Sequence, residues 1–598
     1  MIKMYYPVST IQNNCNIVNY LHSRESSWNS AKVLQQHFQF TTPLLKRLTL
    51  EHQLFGHNGC INCLEWSSNG KLLASGSDDV CVRIWDPFSY KCLNVITTSH
   101  VGNIFSVKFL GDESLIATGA GDCRVVVRSI DDTRTSAPHI TCKCHRGRVK
   151  RLAKAPDQPL LFWSASEDGS VIQYDLREPH ECMVKSTIFM RLPDVDLKCI
   201  AVNPTKPYLI AIGANDCFAR IYDRRMVRTW QYKPSNNSKR EPAEPQDSNC
   251  VQYYAPAHLA RECSEDLTDK LAATYVTFNS SGTELLVNMG GEHIYLFDLN
   301  NSRHINELTM PENLLRKNKN WGCGGAHCDI EVNGNFDTTR NSPSNDRTTL
   351  EYIEKARSLA ERNWGGDLYL AARYFYNVIQ QDPGDKKSFK LFIECLTQLK
   401  WHVEASSWLN LFQKRFPEDC KILLASSKCA KKKKNENEGG PLTSQELELR
   451  ANSRDFELRF LGHCNITTDI KEVNYLGENG NYICAGSDDG VIFIWDRRTT
   501  EVVTALQADP SIVNCIQPHP SACYLASSGI DPCIRLWSPA KEDGTFNRFI
   551  VTDIGVTIEK NQRRRTMSPF ETMLMDMAYR QAQEENTSQR IQQMCRSS

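Results

Sequence analysis

Imidazole, hydroxyl and carboxylate recur at fixed spacing in this 598-residue chain. His57 is followed by Ser75 and Asp79, and His145 by Ser164 and Asp168. A base, a hydroxyl and a carboxylate brought together could do nucleophilic or acid–base chemistry. A third set, His100, Thr118 and Asp122, keeps the same order. An active site is not copied several times along a chain, so the recurrence reads as structure rather than catalysis. Two cysteine groups could hold metal: Cys142-Lys143-Cys144-His145, and Cys323 with His327 and Cys328. Neither has a second half at zinc-finger spacing, and a structural zinc needs four ordered ligands. No metal and no cofactor is expected. The chain has no P-loop, no Gly-x-Ser-x-Gly elbow, no His-Glu-x-x-His and no Gly-x-Gly-x-x-Gly. It reads as an interaction protein, not an enzyme.

Other residues are suited to contacts rather than reactions. Tyr174-Asp175-Leu176-Arg177 and Tyr222-Asp223-Arg224-Arg225 each place an Arg just beyond a strand, beside its Asp. A guanidinium makes planar, bidentate contacts that an ammonium cannot copy. Trp495-Asp496-Arg497-Arg498 matches the pattern but stands apart from the adjacent pair. Arg146, Arg148, Lys150 and Arg151 form a basic stretch that is either a seat for an acidic partner or a solvated loop.

The elements that position these residues follow a repeat. An apolar strand, a small residue, Asp, and an aromatic-Asp ending recur along the chain. The turn Asp falls at Asp79, Asp122, Asp168, Asp216, Asp489 and Asp531, and the ending at Asp86, Ser129, Asp175, Asp223, Asp496 and Ser538. A degenerate copy ends at Asp298 with Gly291 in the turn, which makes seven copies. Alternating apolar residues such as Val82, Ile84 and Val171 mark strands with one buried face.

Two stretches interrupt the pattern: a polar excursion at 226–270, and 299–455. The latter begins with a flexible linker to 349 and ends with a basic and polar one at 431–455. Lys431–Lys434 reads as a nuclear import signal or a solvated linker. Between them, 350–430 turns helical, with periods over Leu350–Ala360, Asp367–Gln381, Lys387–Leu399 and Val403–Phe416. A shift of 34 residues superposes Ala371 on Ala405, Phe375 on Leu409, Val378 on Phe412 and Pro383 on Pro417. That is a tetratricopeptide-like period. In the tail (541–598), Ser568-Pro569-Phe570-Glu571 caps an expected amphipathic helix that packs on the strands or, as the alternative, into a partner's groove. At the other end, residues 1–48 form an N-terminal segment for which helix is an open expectation. Thr49–Leu54 alternates and is expected to supply the outer strand of the last repeat.

Composition sets the bounds. Lys+Arg and Asp+Glu both number 70, so no whole-molecule field draws the chain to nucleic acid or an acidic membrane. Hydrophobic residues at 40% and aromatics at 9% suffice for sizeable cores and exclude a wholly disordered chain. No apolar run is long enough to span a bilayer, and MIKMYYPVST lacks the apolar stretch of a signal peptide. Most of the 24 cysteines sit in strand-like runs, where a reduced thiol acts as a small hydrophobe. A soluble, intracellular protein is expected.

The repeat resembles the WD-repeat β-propeller family, whose ~40–45-residue units each form a four-stranded blade. In that family His57, Ser75, Asp79 and Trp85 would form a buried hydrogen-bonded tetrad, as would His145, Ser164, Asp168 and Tyr174. The resemblance implies blades 1–5 over 49–298 and blades 6–7 over 456–540. The expected fold class is therefore mainly β: a seven-bladed propeller interrupted between blades five and six by a short tetratricopeptide-like helical module. Repeats four and five lack the His, so their blades are expected to be held more by packing. In a subset of the family the doubled aromatic-Asp-x-Arg box marks substrate receptors of cullin-4 RING ubiquitin ligases. That role would fall on Asp175, Arg177, Asp223 and Arg225, which would contact the ligase adaptor, the large subunit of the damage-specific DNA-binding protein. The stretches CINCLEW, NIFSVKF, ATYVTF, GTELLVNMGGE, GHCNITTDIKE, SIVNC and SSGIDP resemble the WD and tetratricopeptide repeats, or "adipose", family. This likeness implies a non-catalytic receptor in cytoplasm and nucleus that recruits protein substrates for ubiquitination and regulates fat storage. The alternative it leaves open is a ligase-independent corepressor scaffold that binds histones and a histone deacetylase. Neither reading involves direct nucleic-acid or membrane contact.

Overall fold

A computed structural model describes residues 39–130, 140–178, 182, 187–192, 195–227, 230–231, 250–261, 271–310, 344–417, 444–477, 479–542, 547–566 and 571. They fall into two compact units. The first is drawn from Met1–Ala255, Cys263–Ser302 and Ser453–Ser598, the second from Pro256–Glu262 and Arg303–Asn452.

The first unit is a seven-bladed propeller whose blades are antiparallel sheets, with one added parallel pairing of Cys250–Tyr254 to Arg454–Asp455 at the edge of blade 4. Blade 1 shows why these sequences form strands. Its inner strand Ile61–Trp66 and second strand Leu73–Ser77 are buried throughout. Its third strand, Cys81–Asp86, buries Val82 and Ile84 on one face, and its outer strand, Lys91–Thr97, is mostly exposed. Burial thus falls from channel to rim, and alternation is clean only in the outer half. Blades 2 and 3 occupy 104–142 and 149–191, and blade 6 occupies 473–507. Apolar clusters lie between neighbouring blades. One joins Leu64, Trp66 and Trp85 of blade 1 to Ile534 and Leu536 of blade 7. Another joins Val125 and Val127 of blade 2 to Phe162 and Tyr174 of blade 3.

Three blades take their outer strand from a distance. Leu48–Phe55 pairs antiparallel with Cys533–Pro539, so the expected strand at Thr49–Leu54 closes the ring on blade 7. In blade 4, Cys250–Tyr254, from within the 226–270 excursion, pairs with Ala219–Asp223. In blade 5, Leu458–Phe460 pairs with Ile294–Asp298, so the chain completes this blade only after the helical insert.

The second unit holds the insert. Helices Ser344–Arg362, Asp367–Gln381, Lys386–Gln398 and His402–Arg415 follow one another with short connections. The period read from sequence recurs as burial: Ala371, Phe375 and Val378 are buried, as are Ala405 and Phe412. Asp367 is fully buried and accepts both Arg362 Nε (2.7 Å) and Nη2 (2.8 Å), which ties the first two helices together. Trp408 Nε1 donates to the Leu308 carbonyl (2.9 Å) and its ring meets Phe392 edge-on.

The helix expected from Ser568 and the Lys431–Lys434 run lie outside the described residues, apart from Glu571. A different helix, Ile554–Thr566, packs on the propeller: Asn561 Nδ2 donates to the Gly462 carbonyl (2.9 Å) and to Asp489 Oδ2 (2.7 Å).

Candidate interaction surfaces

Antiparallel blades sort their loops onto two faces. The turn between second and third strands shares one face, here the turn face, with the loop entering the inner strand. The turn between first and second strands shares the opposite face with the loop leaving the third strand.

On the turn face the expected tetrads form. His57 Nδ1 bonds Asp79 Oδ2 (2.8 Å), His57 Nε2 bonds Ser75 Oγ (2.7 Å), and Trp85 Nε1 donates to the same hydroxyl (2.9 Å). In blade 3, His145 Nδ1 meets Asp168 at 3.0 Å, His145 Nε2 meets Ser164 Oγ at 2.6 Å, and the Tyr174 hydroxyl lies 3.5 Å from that Oγ. Blade 2 repeats the first two links with His100, Asp122 (3.0 Å) and Thr118 (2.9 Å). Burial pushes the His57 and His100 imidazoles below their ordinary value, against the pull of Asp79 and Asp122. Burial would raise Asp79, but the His57 ring and the amides of Asn58 and Cys81 outweigh it and hold the carboxyl below its usual range. Each imidazole is spent on scaffold bonds, with both nitrogens engaged.

Where the His is missing, an ion pair stands in. In blade 4 the Arg220 guanidinium, 1% exposed, reaches the turn residue Asp216 at 2.5 Å and lies 4.9 Å from the Tyr253 ring centroid. The expectation that packing holds this blade therefore needs correction: a charged pair four residues apart replaces the imidazole. Blade 7 uses the same device, Arg535 to Asp531 (2.6 Å), with Arg535 also on Asp509 (2.7 Å). In blade 5 His463, from the chain after the insert, bonds Asn288 Oδ1 (2.9 Å).

The basic stretch divides in two. Arg146 and Arg148 are exposed on the turn face, with Arg148 on Glu167. Lys150 and Arg151 turn instead into the channel. Lys150 Nζ, 2% exposed, meets Asp469 at 3.0 Å, and Arg151 Nη1 meets the fully buried Glu472 at 2.8 Å. Their place at the head of an inner strand, with carboxylates of blade 6 across the channel, removes these two from any surface patch. Glu472 also accepts from Cys515 Sγ and Gln517 Nε2, both at 2.8 Å. Burial raises the Cys515 thiol, with Glu472 adding to the effect.

On the opposite face the two boxes adopt one geometry. Asp175 Oδ1 accepts from the Arg177 amide (3.0 Å) and Nε (2.8 Å), and Oδ2 from Nη2 (2.6 Å). In blade 4 Asp223 does the same for the Arg225 amide (2.9 Å), Nε (3.0 Å) and Nη2 (2.6 Å). Both arginines stay open to solvent, 56% and 63% exposed at the side chain. Arg177 also touches Gln158 (3.3 Å), and Arg225 lies 3.6 Å from the Tyr208 ring centroid. Hydrogen bonding from each Arg holds Asp175 and Asp223 below the usual carboxylate range. Two oriented guanidinium planes on adjacent blades are thus presented outward. The third match differs: Asp496 accepts the Arg498 amide (2.8 Å), while Arg497 pairs with Glu284 of blade 5.

Among the described residues no cluster of His, Cys, Asp and Glu is placed to hold a metal. Cys323, His327 and Cys328 lie outside them. No described helix is long and apolar enough to cross a membrane.

The WD domain, G-beta repeat family matches residues 48–86, 90–129, 136–175, 456–496 and 500–538, which leaves out blade 4 and the inner three strands of blade 5. WD and tetratricopeptide repeats protein 1 of Mus musculus and of Homo sapiens are each 36% identical, over 94% of this chain and 95% of theirs. The chain belongs to the WD and tetratricopeptide repeats protein family. DDB1- and CUL4-associated factor 6 of Mus musculus is 31% identical over 42% of this chain and 28% of its own length. For this family member the full-length likeness takes in the helical insert as well as the ring, and it supports an adaptor-like role for a WD-repeat chain.

Proposed function

We propose that this chain is a non-catalytic substrate receptor of a cullin-4 RING ubiquitin ligase, active in cytoplasm and nucleus and concerned with fat storage. Arg177 and Arg225 hold the ligase adaptor, the large subunit of the damage-specific DNA-binding protein. Substrates are held elsewhere on the ring, with the turn-face surface that carries Arg146 and Arg148 as the seat for an acidic segment. The observation that carries this reading is the pair of matching Asp–Arg forks on adjacent blades. It is supported by likeness to a relative named for association with DDB1 and CUL4. A receptor does no chemistry; it raises the effective concentration of a target beside the ligase.

The test is affinity capture of wild type and an Arg177→Ala/Arg225→Ala variant, blotting for the adaptor, with circular dichroism of both. Recovery by folded wild type alone is the expected outcome. Equal recovery moves the contact off the boxes. Recovery by neither sinks the ligase reading and leaves the corepressor scaffold for histones and a deacetylase.

A further inference from the structure

The ring-closing strand carries a residue that its counterparts do not. Pairing of third and outer strands slips by one residue in five blades, leaving an extra residue on the outer strand. Such a bulge bends the strand and re-aims one side chain. The extra residue is Leu93 in blade 1, Phe189 in blade 3, Val251 in blade 4 and Val503 in blade 6. In blade 7 it is Glu51.

Glu51 is exposed and is held by two phenols. The Tyr90 hydroxyl donates to Oε1 at 2.5 Å and the Tyr524 hydroxyl to the same oxygen at 3.2 Å. Both donors take Oε1, so the carboxylate is oriented while Oε2 stays open, and no cation pairs with Glu51 among the described residues. Around it lies apolar surface. Phe88, 54% exposed, stacks on Tyr524 (5.8 Å between centroids), and Tyr90 is 37% exposed, with one face of its ring stacked on His52 at 4.1 Å and the rest left to solvent. A fixed, uncompensated carboxylate oxygen beside exposed aromatic rings complements a cation on an apolar stem. One free oxygen suits a point charge better than a guanidinium fork, which uses two.

We infer that the blade 7–blade 1 rim is a docking surface for a protein segment that places a lysine ammonium on Glu51 Oε2 and its methylene stem over Phe88 and Tyr90. The surface lies on the same face as the two Asp–Arg boxes, in different blades. It is independent of ligase binding.

The test is selection of a display library of random dodecapeptides against the full chain. Enriched peptides are then resynthesised and measured by biolayer interferometry on wild type, Glu51→Gln and Tyr90→Phe. The expected result is enrichment of a lysine flanked by apolar residues. Glu51→Gln or acetylation of that lysine should weaken binding roughly tenfold, and Tyr90→Phe should weaken it less, because the ring remains. Melting curves of the variants should match wild type, since Glu51 is exposed. Enrichment without a basic consensus, or unchanged affinity for Glu51→Gln or for the acetylated peptide, overturns the proposal.

Discussion

At the scale of single residues, the protein spends its reactive-looking groups on structure. His57 holds Ser75 and Asp79, and the same bonds recur at His100 and His145, so a hydrolase-like trio becomes a blade clamp. This has a pH consequence. The imidazoles of His57, His100, His463 and His519 are all pushed below 6.5, chiefly by burial. Unfolding returns them to about 6.5, so below that pH the unfolded chain binds more protons and stability falls. Depressed Asp79 and Asp168 add a second loss: their contribution is full above about pH 4 and disappears as the pH falls further. Urea midpoints should therefore drop from pH 7.5 to 5.5, and His57→Gln should flatten part of that slope; a pH-independent midpoint would refute the account. The tetrads were legible because type and spacing repeat. Arg220 and Arg535 were not, since an arginine in a strand pattern reads as a solvent-facing residue until Asp216 and Asp531 are found four positions back.

At the scale of elements, turns and strand ends record how strictly each repeat keeps its geometry. The turn after Asp168 continues with Gly169 at φ 75° and that after Asp489 with Gly490 at φ 77°, but blade 1 puts Val80 there at φ 56°. A β-branched residue in the left-handed region costs about 1–2 kcal/mol. Val80→Asn keeps a side chain while tolerating that conformation, and chemical denaturation should show a gain of about 1 kcal/mol. The inner and third strands were readable from their apolar runs. Outer strands of blades 4 and 5 were not: Cys250–Tyr254 lies inside the polar excursion, and three residues at Leu458–Phe460 carry no period. Lys150 and Arg151 were misread for a related reason. Their partners Asp469 and Glu472 lie over 300 positions away, so only the closed ring shows that the stretch enters the channel.

At the scale of the whole molecule, ring closure by Leu48–Phe55 is what removes the exposed edge of blade 7. Leu54, 2% exposed in the cluster between blades 7 and 1, is the anchor of that closure. Leu54→Ala should cost about 2–5 kcal/mol in denaturation, as large-to-small changes in packed cores do. Deleting residues 48–55 should go further and give a chain that elutes as oligomers in size-exclusion chromatography; a stable monomer would mean that the edge needs no cover. The same closure sets a clock on biosynthesis. Leu48–Phe55 is synthesised before its partner Cys533–Pro539, which follows some 480 residues later, the helical insert included. At ~5–20 residues per second that is a wait of roughly 24–96 s, in which a strand made before any blade of the ring must stay unpaired until the seventh blade is complete.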